Sequence, residues 1–262
     1  EFPADLTIVE LTEVVRCSKR VVSAARKFQT LDMEYRCHHE SEGPPLKSHL
    51  FDIKPGSDHH AEYAAQTLHA LQCVTETFDS LNLDGRLAII VPDADFGREL
   101  KPQLERELTA AYDARFELAN AADAGRILAT GHGRDSKQTI VLDSIEQMDG
   151  MEWLIVLCVG LDSPAGDARE SAAFADSHSL LYRGVTRAHM MVSAVNEFHS
   201  DGWLAFLTGV RLSKEKFDPR EAERMSKEAE QQMEAQKLIR RENEKRIEEF
   251  LQEPDRKAEL GD

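Results

Sequence analysis

A continuous apolar run in the middle of the chain reads Leu154-Ile155-Val156-Leu157-Cys158-Val159. Similar runs occur at Leu87–Val91, Thr139–Leu142 and Met190–Val195. Because these runs are nearly continuously apolar and do not alternate with polar residues, they predict strands that are buried on both faces. Helical patterns lie around and between them, at residues 19–28, 60–78, 96–112 and 171–182. This succession predicts an α/β fold with a mainly parallel sheet flanked by helices.

Weaker signals complete the pattern of elements. Ser18 and Asp93 stand where a side chain can cap the helix that follows. Residues 36–56 are rich in Pro, Gly, His and Ser, which predicts a surface loop leading into a short strand at Leu50–Ile53. A further short helix is expected after Asp201-Gly202.

Composition limits the classes of function. The 262 residues include 48 acidic and 32 basic side chains, for a net charge of −16. This balance argues against a protein that coats nucleic acid or an anionic membrane with its whole surface. It is compatible with a basic groove on one part of the surface. No apolar run approaches the roughly 18 residues of a membrane span. The four cysteines form no C-x-x-C pair, which predicts a reducing intracellular location, cytoplasmic or nuclear.

The chain divides into two predicted parts. Residues 1–212 contain the α/β pattern, whereas residues 214–262 hold 12 basic and 15 acidic side chains and almost no aromatic ones. No Pro or Gly occurs between Arg220 and Leu251, so one long helix is feasible. Its apolar positions keep no heptad, which favours a solvated charged helical tail at 213–262 over a coiled coil.

Three stretches place charged side chains where strands and helices meet. Arg16 precedes a predicted helix, Glu152 follows Gly150 at the start of a strand, and Arg187 lies between a helix and a strand. Ligands of parallel sheets bind at the carboxyl ends of strands, so side chains at such junctions are well placed to contact a ligand there. Arginine matches phosphate oxygens, and a glutamate can accept a hydrogen bond from a ribose hydroxyl. Ordinary ion pairs are the alternative.

Together these stretches resemble motifs IV, V and VI of the superfamily 1 helicases of the UvrD/Rep type. Motif V typically reads Thr-Ile-His-x-x-Lys-Gly-Leu-Glu-Phe, and the chain resembles it at Ser144-Ile145 and Gly150-Met151-Glu152-Trp153. Motif VI reads Tyr-Val-x-x-Thr-Arg-Ala, and the chain resembles it at Tyr182 and Thr186-Arg187-Ala188. The resemblance spans roughly residues 7–200. The chain is also similar to the helicase-like ATPase modules of Schlafen-type proteins.

The resemblance implies that residues 1–212 are the second RecA-like domain of a motor, which closes over ATP and Mg²⁺ bound mainly by a missing N-terminal RecA-like domain. Arg16 and Arg187 would be the catalytic arginines at the γ-phosphate. Gly150 and Glu152 would contact the nucleotide, and Ser144 a phosphate of single-stranded DNA or RNA. The sequence contains no G-x-x-x-x-G-K-[ST] loop, so we expect this chain by itself to bind ATP poorly.

Two departures from motif V leave the function open. Glu146 and Asp149 stand where the family has His and Lys. Negative charge weakens the binding of a nucleic-acid strand, so strand separation is less secure than nucleotide binding. One alternative is therefore a Schlafen-like, ATP-dependent switch that unwinds no duplex. Another is a degenerate module that binds a protein partner through the charged tail.

The remaining signals favour ordinary structural roles. The Asp95-Phe96-Gly97 triplet lacks the other kinase motifs. Trp153 and Trp203 are expected in the core. Several side chains between residues 37 and 60 offer ligands for zinc but have none of its regular spacings, so loop residues are favoured over a metal site. These side chains are Cys37, His38, His39, His49, His59 and His60.

Overall fold

The computed structural model describes residues 13–28, 36–124, 137–163, 172–208 and 231. The chain divides into two compact units, residues 1–205 and 206–262. Almost all of the second unit lies outside the described residues, including the predicted tail at 213–262 apart from residue 231, so the boundary after residue 212 stays a prediction. No described helix combines the length and the apolar character needed to cross a membrane.

The strands form a small pair and one large sheet. The pair is parallel and consists of β1 (Glu13–Val14) and β2 (Arg36–Cys37). The strands of the large sheet are β3 (Lys47–Phe51), β4 (Leu87–Val91), β5 (Phe116–Ala119), β6 (Gln138–Ser144), β7 (Trp153–Val159) and β8 (Ala188–Glu197). Their order across the sheet is β3-β8-β7-β4-β6-β5, and every neighbouring pair is parallel.

Helices cover the sheet. They are α1 (Lys19–Lys27), α2 (His59–Thr77), α3 (Ala94–Tyr112) and α4 (Ala172–Val185), and a short 3-10 helix follows at Ala205–Thr208. Helix α2 packs against α3, and α1 packs against α4. All five residues of β4 are buried, as are six of the seven in β7. The predicted α/β fold class, a mainly parallel sheet flanked by helices, is confirmed.

The helix caps were predicted with mixed success. Asp93 caps α3 as expected, because its Oδ1 accepts a hydrogen bond from the Phe96 amide at 2.8 Å. Ser18 does not cap α1 with its side chain, so that prediction is wrong. Its hydroxyl instead donates to the Met190 carbonyl at 2.9 Å, and its amide donates to the His189 carbonyl at 2.7 Å. Ser18 therefore fastens the start of α1 to the start of β8.

Two parts of the sheet differ from the sequence prediction. The short strand expected at Leu50–Ile53 is β3, which begins earlier, at Lys47. Strand β5 was not predicted, because it has only four residues and includes a charged one, Glu117. Both are edge strands, which are exposed on one side and so lack the continuous apolar run of the central strands.

Candidate functional site

The three predicted segments meet at the amino end of the sheet. Glu152 directly precedes β7 and Arg187 directly precedes β8, and the first residues of these parallel strands, Trp153 and Ala188, are paired. Arg16 lies between β1 and α1, which Ser18 holds against β8. The side chains thus come together as expected. The expectation that they lie at the carboxyl ends of strands is wrong, because residues that precede parallel strands lie at the opposite end of the sheet.

The carboxylate of Glu152 connects two basic side chains. One oxygen, Oε1, forms an ion pair with Nη1 of Arg16, and the other, Oε2, lies 2.9 Å from Nε2 of His189. The side chain of Glu152 is 26% exposed and that of Arg16 is 52% exposed. The hydrogen bond with His189 lowers the pKa of Glu152, partial burial opposes this, and the charges of Arg16, His189 and Arg187 lower it further. Glu152 is therefore held as an anion.

Arg187 is positioned by backbone groups. Its Nε donates to the Arg183 carbonyl at 3.3 Å, and its Nη1 donates to the Met151 carbonyl at 3.5 Å. A guanidinium has five N–H donors, so these two contacts orient the group and leave donors for a ligand. Among the described residues, no carboxylate lies within ion-pair distance of Arg187. We call Arg16, Glu152, Arg187 and His189 the amino-end cluster.

His189 is the member of this cluster that sequence reasoning missed. It lies two residues after Arg187, at the start of β8. Alternate residues of an extended segment point to the same side. The spacing of two residues could therefore have indicated that the side chains of Arg187 and His189 lie near each other. Its role is to fix the second oxygen of Glu152, which Arg16 alone would leave free to rotate.

Gly150 ends the turn that leads to Glu152. Its φ of +81° lies in the left-handed region, which favours glycine. A Cβ at this position would have no atom within 4 Å, so backbone conformation and not crowding requires glycine here. Gly150 is exposed and beside the amino-end cluster, and its predicted contact with nucleotide stays a prediction.

The two acidic departures in this turn have different surroundings. Asp149 forms an ion pair with Arg183, with Nη2 and Oδ2 2.5 Å apart. Glu146 is exposed. The lysine that the family has in place of Asp149 is thus replaced by an anion whose charge is balanced within the chain.

Ser144 lies at the other end of the sheet. It is the last residue of β6, it is 4% exposed, and it lines a cleft of about 390 Å³ that also contacts Arg98, Lys101 and Asn120. We call this the carboxyl-end cleft. The neighbouring Asp143 is occupied by backbone amides, because its carboxylate accepts from Ala121 at 3.0 Å and from Ser144 at 2.8 Å. The predicted contact of Ser144 with a nucleic-acid phosphate stays a prediction.

The candidate metal ligands and the two tryptophans were also singled out in the sequence. Among the described residues, no group of three or more His, Cys, Asp or Glu side chains is placed to hold a metal ion. Trp153 is buried in the core, as predicted. Trp203, which was also expected in the core, is only partly buried, and its ring packs at a tilt on His178 with ring centroids 4.3 Å apart.

Comparisons with known proteins give only distant matches. No protein-family model and no curated protein matches the sequence. Among solved structures, the C-terminal domain of a possible DNA helicase from Lactobacillus plantarum WCFS1 matches with a TM-score of 0.44 and 12% identity, over 71% of this chain and 88% of that one. The E. coli DExH-box NTPase HrpB matches with a TM-score of 0.33 and 10% identity, over 63% of this chain and 20% of that protein. At these TM-scores, superposition on either structure does not assign a role to any residue of this chain.

Proposed function

We propose that this chain is the arginine-bearing half of an ATP-driven motor of the superfamily 1, UvrD/Rep type, which acts on single-stranded DNA or RNA. The observation that supports this is the convergence of Arg16, Glu152 and Arg187 at one accessible end of the sheet. These residues come from three separate segments of the chain, and Arg16 lies more than a hundred positions before the other two. Two arginines and one carboxylate are the groups that a triphosphate and its ribose require.

Each member of the cluster has a distinct task in this proposal. Arg187 is already oriented by carbonyl groups, so its remaining N–H donors can face the γ-phosphate as negative charge develops there. Arg16 must exchange Glu152 for phosphate, and its 52% exposed side chain has room to do so. Glu152 then stays held by His189 and can accept a ribose hydroxyl. ATP and Mg²⁺ would be bound mainly by the partner RecA-like domain, which supplies the phosphate cradle.

One observation favours the Schlafen-like switch as a second candidate. The turn between Ser144 and Glu152 contains two acidic residues and no basic one. Glu146 is exposed, and Asp149 pairs with Arg183, which lies outside the turn. A phosphate backbone gains little from such a turn. Nucleotide-driven closure without duplex unwinding fits this local charge.

The substitution Arg187→Ala tests both candidates in the protein that contains the ATP-binding half. We expect kcat for ATP hydrolysis to fall by about 10³–10⁵, the range for loss of an arginine at a transferring phosphoryl group. Arg187→Lys is expected to recover little of this, because an ammonium lacks the planar fork. Arg106→Ala is the matched control, since it removes an equally positive, exposed side chain that contacts Gln103 on the same helix, α3, and lines neither the cluster nor the cleft.

The outcomes separate the candidates. Normal hydrolysis by Arg187→Ala rejects the motor and the switch, and leaves the module that binds a protein through its charged tail. If hydrolysis falls as expected, unwinding of a tailed duplex by the unmodified protein identifies the motor. Hydrolysis without unwinding identifies the switch.

A further inference from the structure

The thiol of Cys37 lies against the backbone of Cys17, next to Arg16. The Cys37 Sγ donates a hydrogen bond to the Cys17 carbonyl at 3.4 Å. Pairing of β1 with β2 places Cys37 opposite Val14, three residues before Cys17, and so fixes this approach. Cys17 is buried and Cys37 is partly exposed. The Cys37 thiol also contributes to raising the pKa of the Cys17 thiol, which indicates that the two sulfurs are near each other, and the proposed bond requires a rotation of one or both side chains.

We propose that Cys17 and Cys37 are an oxidation site, at which a hydroperoxide converts the two thiols into an intramolecular disulfide. In the first step the Cys37 thiolate attacks the peroxide; the O–O bond breaks, the sulfur becomes a sulfenic acid, and an alcohol or water leaves. In the second step the Cys17 sulfur displaces that hydroxyl, the S–S bond forms and water leaves. Two thiols are oxidised, and one hydroperoxide is reduced by two electrons.

The surroundings assign the order of these steps. Cys37 is the more accessible thiol, so peroxide reaches it first. Burial raises the pKa of the Cys17 thiol, while a hydrogen bond and the positive charge of Arg16 partly oppose that rise. Cys17 is thus protected from direct oxidation, yet it lies beside a cation that stabilises its thiolate when the sulfenic acid forms. This division of labour is typical of redox-sensing cysteine pairs in reducing compartments.

The disulfide would act on Arg16, a consequence that rests on the proposed function. Arg16 lies between Val14, which is held in the β1–β2 pair, and Cys17. A bond from Cys17 to Cys37 fixes the backbone on both sides of Arg16 and withdraws the Cys17 sulfur from its guanidinium. Arg16 then cannot follow the rearrangement in which it leaves Glu152 for phosphate.

Peptide mapping after oxidation tests the site itself. The reduced protein is treated with hydrogen peroxide at neutral pH, alkylated under denaturing conditions and digested with trypsin. We expect a linked peptide that joins residues 17–19 to residues 37–47 and disappears after treatment with dithiothreitol. Cys37→Ser should abolish it, whereas Cys73→Ser, which removes a thiol of similar exposure on α2, should not.

A second measurement follows the effect on Arg16. ATP hydrolysis by the protein with its ATP-binding half should fall at least about fivefold on oxidation and recover on reduction, and Cys37→Ser should be insensitive. The proposed disulfide is rejected if Cys37 is oxidised to a sulfinic acid while Cys17 remains a free thiol that the alkylating reagent modifies. A linked peptide with unchanged hydrolysis overturns the control of Arg16. Failure of the proposed function is separate, because it appears as normal hydrolysis in Arg187→Ala.

Discussion

The two ends of the sheet use acidic side chains in opposite ways. At the carboxyl end, Asp162 is 4% exposed, and its two oxygens accept the Trp203 amide at 3.0 Å and the Leu204 amide at 2.8 Å. At the amino end, Glu152 is 26% exposed and contacts two other side chains, those of Arg16 and His189. Asp162 is thus fixed by the backbone, whereas Glu152 is held by partners that can rotate away.

This difference separates stability from function. Backbone amides cannot leave a buried carboxylate without unfolding the segment to which they belong. Side-chain ion pairs at an exposed site add little stability and can be exchanged for a ligand. We therefore expect changes at Asp162 to reduce stability and changes at Glu152 to reduce ligand binding.

The largest effect is expected when the two acidic residues are removed in turn. Asp162→Ala leaves two amides without acceptors and should lower the free energy of unfolding by about 2–4 kcal/mol. Glu152→Ala should lower it by less than about 1 kcal/mol, because its ion pair is partly exposed. Urea denaturation monitored by circular dichroism measures both values. Equal losses in the free energy of unfolding for the two variants would contradict the inference that Asp162 supports stability and Glu152 does not.

A smaller effect is expected at the carboxyl-end cleft. If Ser144 touches a nucleic-acid phosphate, Ser144→Ala should raise the strand concentration for half-maximal stimulation of hydrolysis by about fivefold, the equivalent of roughly 1 kcal/mol. Hydrolysis without a strand should not change, since the amino-end cluster is intact. A titration with single-stranded oligonucleotides measures this in the protein with its ATP-binding half. Unchanged strand affinity would leave Ser144 a purely structural residue.

The smallest effect concerns the titration of Glu152. Its pKa is lowered from 4.5, mainly by the hydrogen bond with His189. The pair therefore contributes stability above pH 4.5, and this contribution is lost as pH falls through the lowered pKa. His189→Phe should raise the pKa towards 4.5, and Arg16→Gln should raise it less. Carbon NMR of the labelled side chain gives both midpoints, and a larger rise in Arg16→Gln would reverse the assigned order.

The sequence predicts the central strands well, because burial on both faces favours apolar residues at nearly every position. Edge strands such as β5 have no such requirement, and Glu117 interrupts the apolar run by which β5 could have been predicted. The grouping of Arg16, Glu152 and Arg187 was predicted through the resemblance. Their location at the amino end was not, although it follows from their positions before β7 and β8. His189 went unnoticed because a single histidine next to a motif has many ordinary roles.

Only seven residues separate Ser144 from Glu152, and they connect the two ends of the sheet. Two of them, Ile145 and Met148, are fully buried and anchor the segment to the core. One short, anchored segment therefore positions a residue at each end of the sheet, and an inserted residue would shift Glu152 relative to Ser144 even with every side chain of both sites unchanged.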